Sequence, residues 1–255
     1  MKRLAKTIAV LAFWLLIWEA LALAVGKELL LPQPWTVLRR LGELALTAAF
    51  WRTAGASLGR VVCGILAAVA AGTLLAALSC RFPLLDALLH PLLAVVKATP
   101  VASFIILALL WMGRSVLPGF ISALIVLPVV FTSVSAGIRA TDDELLEVAK
   151  LFRFSRAKTI LKLYVPSALP WFLTACRSSL GLGWKAGIAA EVLTVPAVSI
   201  GKMLYESKLY LETVDLFAWT AAVVLCSLLI EKLVLAAAKP VERRFRAVEV
   251  PDDRH

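Results

Sequence analysis

The sequence predicts an all-α, polytopic membrane protein with about six transmembrane helices. Three observations carry that prediction. The 255 residues are 61% hydrophobic, with a mean hydropathy of +0.90. Apolar runs of about 18 residues or more recur along the chain, each long enough to cross a hydrocarbon core about 30 Å thick. Strand alternation of the barrel kind is absent, and a backbone in lipid must satisfy its own hydrogen bonds, which leaves the helix.

The six expected spans cover roughly 8–25, 55–79, 84–112, 117–138, 166–190 and 214–238. The expected organisation is an N-terminal part (1–54), a helical bundle (55–238) carrying a long loop at 140–166, and a charged tail (239–255). The first span follows Lys2, Arg3 and Lys6 and ends in Ala20-Leu21-Ala22-Leu23-Ala24, a pattern that also suits a cleavable signal. Its length and its Trp14, Trp18 and Glu19 favour a retained helix. Leu30-Leu31-Pro32-Gln33-Pro34 cannot continue that helix. From Trp35 to about Phe50, Val37, Leu38, Leu41, Leu44 and Ala45 share one face, so an amphipathic helix at the outer interface is expected.

The second span places Gly64, Ala68 and Gly72 four residues apart, a spacing that lets helices approach closely. The third is interrupted by Pro91 and Pro100 and also holds Asp86, His90 and Lys97. Proline at membrane depth requires neighbouring protein to satisfy the freed carbonyl groups. The fourth contains Pro128. The fifth is the most polar, with Arg177, Ser178, Ser179, Gly181, Gly183, Trp184, Lys185, Gly187 and Glu191 at its end. A partly re-entrant linker through Pro196 and Gly201 is expected to follow, and then an ordinary sixth span.

The net charge of +10 is a topology signal rather than a nucleic-acid footprint. The N-terminal lysines and arginine, the loop residues Arg139, Lys150, Arg153, Arg156, Lys158 and Lys162, and Lys239, Arg243, Arg244 and Arg246 all fall on one side of a six-span chain. That side is cytoplasmic by the Lys/Arg bias, which puts both termini inside. Cys63, Cys80, Cys176 and Cys226 are scattered among apolar residues and read as packing groups. His90 and His255, the two histidines, have no evident partner, so no metal or nucleophile constellation emerges.

The long loop is the most informative segment. Thr141-x-x-Glu144 predicts a capping box and a helix from about Asp142. Leu145, Leu146, Val148, Ala149 and Phe152 then follow helical spacing. Ser155 is a candidate cap for a second short helix bearing Ala157, Ile160, Leu161 and Tyr164, and Pro166 marks a turn into the fifth span. Such a pair suits either anionic lipid headgroups or a soluble partner, and periodicity leaves both readings open.

Glu147-x-Ala149, followed by Leu163-x-Val165-Pro166, resembles the EAA motif of ATP-binding-cassette importer permeases of the MetI-like type. The flanking sequence is similar to the nitrate/sulfonate/taurine branch: Leu30-Leu31-Pro32-x-Pro34, Ser57-Leu58-x-Arg60, Pro100 through Trp111-x-Gly113, Pro166-Ser-Ala-Leu-Pro170, Arg177, Trp184 and Glu191. The match spans about residues 30–240. Val148 departs from the triplet, and Arg153 stands where the family has a glycine that permits an αL turn.

The resemblance implies a permease that binds an ATPase dimer through the 140–166 loop, with Glu147, Ala149, Phe152, Arg153, Ser155, Leu163 and Pro166 as contact or shaping residues. It further implies a second permease copy and an extracytoplasmic solute-binding protein. ATP and Mg would belong to the ATPase, since Gly26-Lys27 and Gly201-Lys202 lack a phosphate-binding loop. This chain itself would be no enzyme and need no cofactor. Charges inside spans cost roughly 2.5–3.5 kcal/mol each, which makes Lys97, Arg177 and Lys185 candidates for the translocation route, with Ser103, Ser178, Trp184 and Glu191 beside them. The substrate expected is a small anion of the nitrate, sulfonate or taurine kind, or a thiamine-precursor-like molecule. An ion-coupled secondary transporter is the alternative, though intramembrane coupling carboxylates and an internal repeat are not evident.

Overall fold

The computed structural model describes residues 2–246, with side-chain surroundings over residues 6–236. The whole tail expected at 239–255, together with Lys2 and Arg3, lies outside the described side chains. Among the described residues every regular element is helical. In order they are α1 (Lys2–Val25), α2 (Pro34–Ala45), α3 (Ala48–Arg81), α4 (Pro83–Ala98), α5 (Val101–Ala108), α6 (Leu117–Arg139), α7 (Asp143–Leu151), α8 (Arg156–Thr159), a π turn (Ile160–Tyr164), α9 (Val165–Thr194), α10 (Ile200–Leu209) and α11 (Thr213–Arg246).

Among the described residues, four helices are each long and apolar enough to cross a bilayer: α1, α3, α6 and α11. The third expected span is not one helix. The α4–α5 pair meets the same test only together and bends by 102° at Thr99-Pro100. Pro91, expected to break this run, lies inside α4, so Pro100 alone makes the break. α9 is 30 residues long but falls short on hydropathy, diluted by its prolines, serines and charges. The expected count of about six spans is therefore not confirmed by length and hydropathy among the described residues. The linker expected to be re-entrant is ordered by α10, which Ser199 caps by accepting the Lys202 N–H.

The chain forms two compact units. The first comprises the chain up to Gly59 together with Glu191–Cys226. Here Trp18 of α1 donates to the Pro32 carbonyl (3.1 Å) and lies beside Phe217 of α11. α2 begins with Pro34 at its first turn, where a missing N–H costs nothing, and buries Val37. Arg40, on the polar side of α2, grips Asp215 in the first turn of α11 with two bonds of 2.6 and 2.9 Å. That carboxylate pushes the guanidinium above its ordinary pKa range. Phe50 of α3 stacks on Trp219.

The second unit comprises Arg60–Ala190 and the chain from Ser227. Its centre is α3, α6 and α9. A Cβ on Gly64 of α3 would overlap the Gly119 backbone of α6, so the two helices touch main chain to main chain. This is the close approach that the small-residue spacing predicts. Gly183 and Gly187 of α9 lie against Ile65 and Val61 of α3 and against Val126 and Ser122 of α6. Trp184 and Phe131 are fully buried in this unit. A smaller apolar cluster joins α5 to α6 through Ile105, Ala108, Leu117 and Ile121.

Candidate functional site

The connection between α6 and α9 folds as a compact arm. α6 ends at Arg139, and the link 140–142 has no slack: Ala140 N–H bonds Ala136, while Thr141 N–H and Oγ1 both return to the Ile138 carbonyl. The capping box is not formed, because Thr141 is buried and its hydroxyl is spent on Ile138. Asp142 caps α7 instead, accepting the Glu144 N–H at 2.8 Å. Asp143 and Glu144 then complement the helix N-terminus.

The end of α7 is a Schellman motif. Phe154 N–H reaches the Ala149 carbonyl (2.9 Å) and Arg153 N–H reaches Lys150 (3.0 Å). Arg153 sits at φ +50°, so an arginine adopts the left-handed conformation for which the resembling motif uses glycine. Ser155 caps α8 as expected, accepting the Lys158 N–H. The second arm is not a separate short helix. It runs through the π turn into α9, and Pro166 stands within the helix rather than at a turn. Proline has no N–H and crowds the carbonyl four residues back. The Val165 N–H skips to Ile160, and the turn widens to π.

The apolar face expected on α7 divides. Ala149 is buried and Leu146 half-buried against the protein, whereas Leu145, Val148, Leu151 (80%) and Phe152 (70%) stand exposed beside Glu147. Ile160 and Leu161 extend this exposed apolar surface, and Lys158 covers the Phe154 ring at 3.8 Å. Leu163 and Pro166 are half-buried.

The intramembrane candidates lie on three helices, α4, α5 and α9. Lys97 and Ser103 flank the α4–α5 bend, both exposed. Arg177, Ser178, Trp184 and Lys185 are strung along α9. Trp184 and Ile188 are buried, Arg177 is half-buried, and Lys185 is exposed. Ser178 Oγ donates back to the Ala175 carbonyl. Glu191 is wholly buried in the other unit. Its Oε2 accepts from Ser57 Oγ (2.7 Å) and from Gly201 N–H (3.2 Å) at the N-terminus of α10. Gly201 is required there, since a Cβ would meet the Glu191 main chain.

Residues 61–247 match the family of binding-protein-dependent transport system inner membrane components. The chain belongs to that family. The permease is 27% identical to the taurine transport system permease protein TauC of Escherichia coli K12, across 90% of this chain and 86% of the relative. It is 28% identical to the putative aliphatic sulfonates transport permease protein SsuC of Bacillus subtilis 168, across 86% and 78%. It is 31% identical to the bicarbonate transport system permease protein CmpB of a Synechocystis strain, across 62% and 56%. These relatives are transport subunits and not enzymes. The apolar helices of the permease fit a multi-pass membrane protein.

Two features of the permease escaped the sequence reading. Asp86 and His90, four residues apart in α4, form a pair (3.4 Å), and Arg139 joins the same Asp86 oxygen at 2.8 Å. The i,i+4 spacing of Asp86 and His90 was the available signal. Ser57, partner of Glu191, carries none, because 134 residues separate the two.

Proposed function

We propose that this permease is the membrane subunit of an ATP-driven importer of small anions, and that α7 is the element received by a separate ATPase. The observation that carries this reading is the exposed patch of Leu151 and Phe152 beside Glu147, on a helix whose Ala149 is buried. An apolar patch on a rigid, capped helix is costly in water and suits a groove in a folded partner. The arm lies on the basic side of the chain, which the Lys/Arg bias makes cytoplasmic together with both termini. ATP binding moves the bundle only if the ATPase favours one arrangement of the arm over another.

Anions are the substrate class because relatives are named for taurine, sulfonates and bicarbonate, and because Lys97, Arg177 and Lys185 bring positive charge to spans where charge is costly. Lys97, Ser103 and Lys185 are exposed in a single chain, so an enclosed path calls for a second copy, with a homodimer the simplest pair. An extracytoplasmic binding protein would deliver the solute. Glu191 serves as architecture at the α9–α10 junction.

The test is reconstitution in proteoliposomes with the ATPase and the binding protein, using radiolabelled taurine and bicarbonate. Accumulation of either that requires ATP supports the reading. Uptake at full rate without the ATPase, driven by an ion gradient, would select secondary transport instead.

A further inference from the structure

We infer that Asp86 and Arg139 form a strut that carries movement of α7 into α4, which makes them positioning residues for coupling. The inference rests on α7 being the ATPase-docking element. Arg139 is the last residue of α6, and the folded link 140–142 joins it to α7 without a flexible hinge. Displacement of α7 is therefore delivered first to the Arg139 end of α6. There Arg139 Nη2 holds Asp86 Oδ1 at 2.8 Å. Asp86 lies in the first turn of α4, so that helix receives the displacement at its N-terminal end.

A second contact keeps α4 in step. His90 Nδ1 stands 3.4 Å from the same Asp86 oxygen, and its ring meets the buried Phe131 of α6 edge to face, with centroids 6.0 Å apart. α4 then continues to the 102° bend at Thr99-Pro100, flanked by Lys97 and Ser103. The cation sits at a helix C-terminus and the carboxylate at a helix N-terminus, where each complements the backbone dipole. The Asp86 Oδ1 atom is buried at the contact, while the two side chains as a whole stay partly exposed. A half-exposed ion pair adds little stability, so its effect is directional: it fixes the end of α4 to the element that precedes α7.

The test uses the permease with its ATPase in proteoliposomes. Spin labels are placed at exposed Leu92 on α4 and exposed Leu74 on α3, and their separation is measured nucleotide-free and after trapping with ATP and vanadate. In the wild type the separation changes between the two states. Asp86→Asn and Arg139→Gln lose that change while the ATPase stays bound and vanadate trapping persists, and Arg139→Lys keeps it. A change of wild-type size in both neutral variants overturns the strut. So does an unchanging wild type with the ATPase attached, or loss of the ATPase from the neutral variants alone. A wild-type permease that never retains the ATPase contradicts the docking reading itself.

Discussion

Ser57 and Glu191 are joined by a 2.7 Å hydrogen bond in which the serine hydroxyl donates to the buried carboxylate. The same hydroxyl accepts the Ile200 N–H at 2.8 Å, and Glu191 takes Gly201 N–H. Ser57 and Glu191 thereby satisfy the first two N–H groups of α10, which have no helical partner, and Ser199 takes the third, that of Lys202. The carboxylate also faces the positive end of that helix. A buried polar side chain in an apolar chain is satisfied here by geometry.

Ser57→Ala should lower the stability of the purified permease by about 2 kcal/mol, because it strands a buried N–H and removes a donor from a carboxylate. Gly201→Ala should cost about 1–3 kcal/mol by forcing α10 away from the Glu191 backbone. Thermal unfolding in detergent measures both. Equal stability of either variant and wild type would remove the junction from the account.

Arg153→Gly should relieve the left-handed strain at the end of α7, worth about 1 kcal/mol, part of which the freer unfolded glycine offsets. Hydrogen exchange at the Phe154 amide, which closes the Schellman motif, should slow. Faster exchange would mean that the Arg153 side chain holds the turn.

Arg40→Gln should loosen α2 from α11. The bond to Asp215 is bidentate, yet the Arg40 side chain is 40% exposed, so screening holds the loss to about 1 kcal/mol or less. Proteolysis of the 26–47 segment should quicken, and added salt should narrow the difference from wild type.

The arm was legible in the sequence because its signals are local. The Ser155 cap and the helical spacing on α7 each involve residues a few positions apart, whereas the left-handed turn at Arg153 was suggested only by the glycine of the resembling motif. The cap of α7 was misplaced by one residue because Thr141 and Asp142 are both good caps, and only the fold shows that Ile138 takes the Thr141 hydroxyl. Pro166 reads as a turn under ordinary α-helix rules, and the π bond from Val165 to Ile160 is the exception that lets the helix continue. Lys97, Arg177 and Lys185 were visible as costly charges on two different spans, but which of them the fold exposes was not, since burial depends on neighbours distant in sequence. The Ser57–Glu191 bond was invisible, since nothing in either neighbourhood specifies a partner so distant in sequence.

For the pathway, Lys97→Met and Arg177→Gln should each cut ATP-driven anion uptake several-fold without releasing the ATPase. Uptake by reconstituted vesicles, with co-purification as control, reads both effects. Unchanged uptake in both variants would leave these cations a structural role.

The most direct measurement is the amount of ATPase retained by affinity-purified permease carrying Phe152→Asp or Glu147→Lys. Ala149→Asp is a poorer probe, because Ala149 is buried and a charge there would disturb α7 itself. Phe152 and Glu147 are exposed, so their replacement leaves the fold alone. The account predicts normal membrane insertion and unfolding, with ATPase retention lost or sharply reduced. Full retention by both variants, with ATP-driven uptake intact, would contradict it.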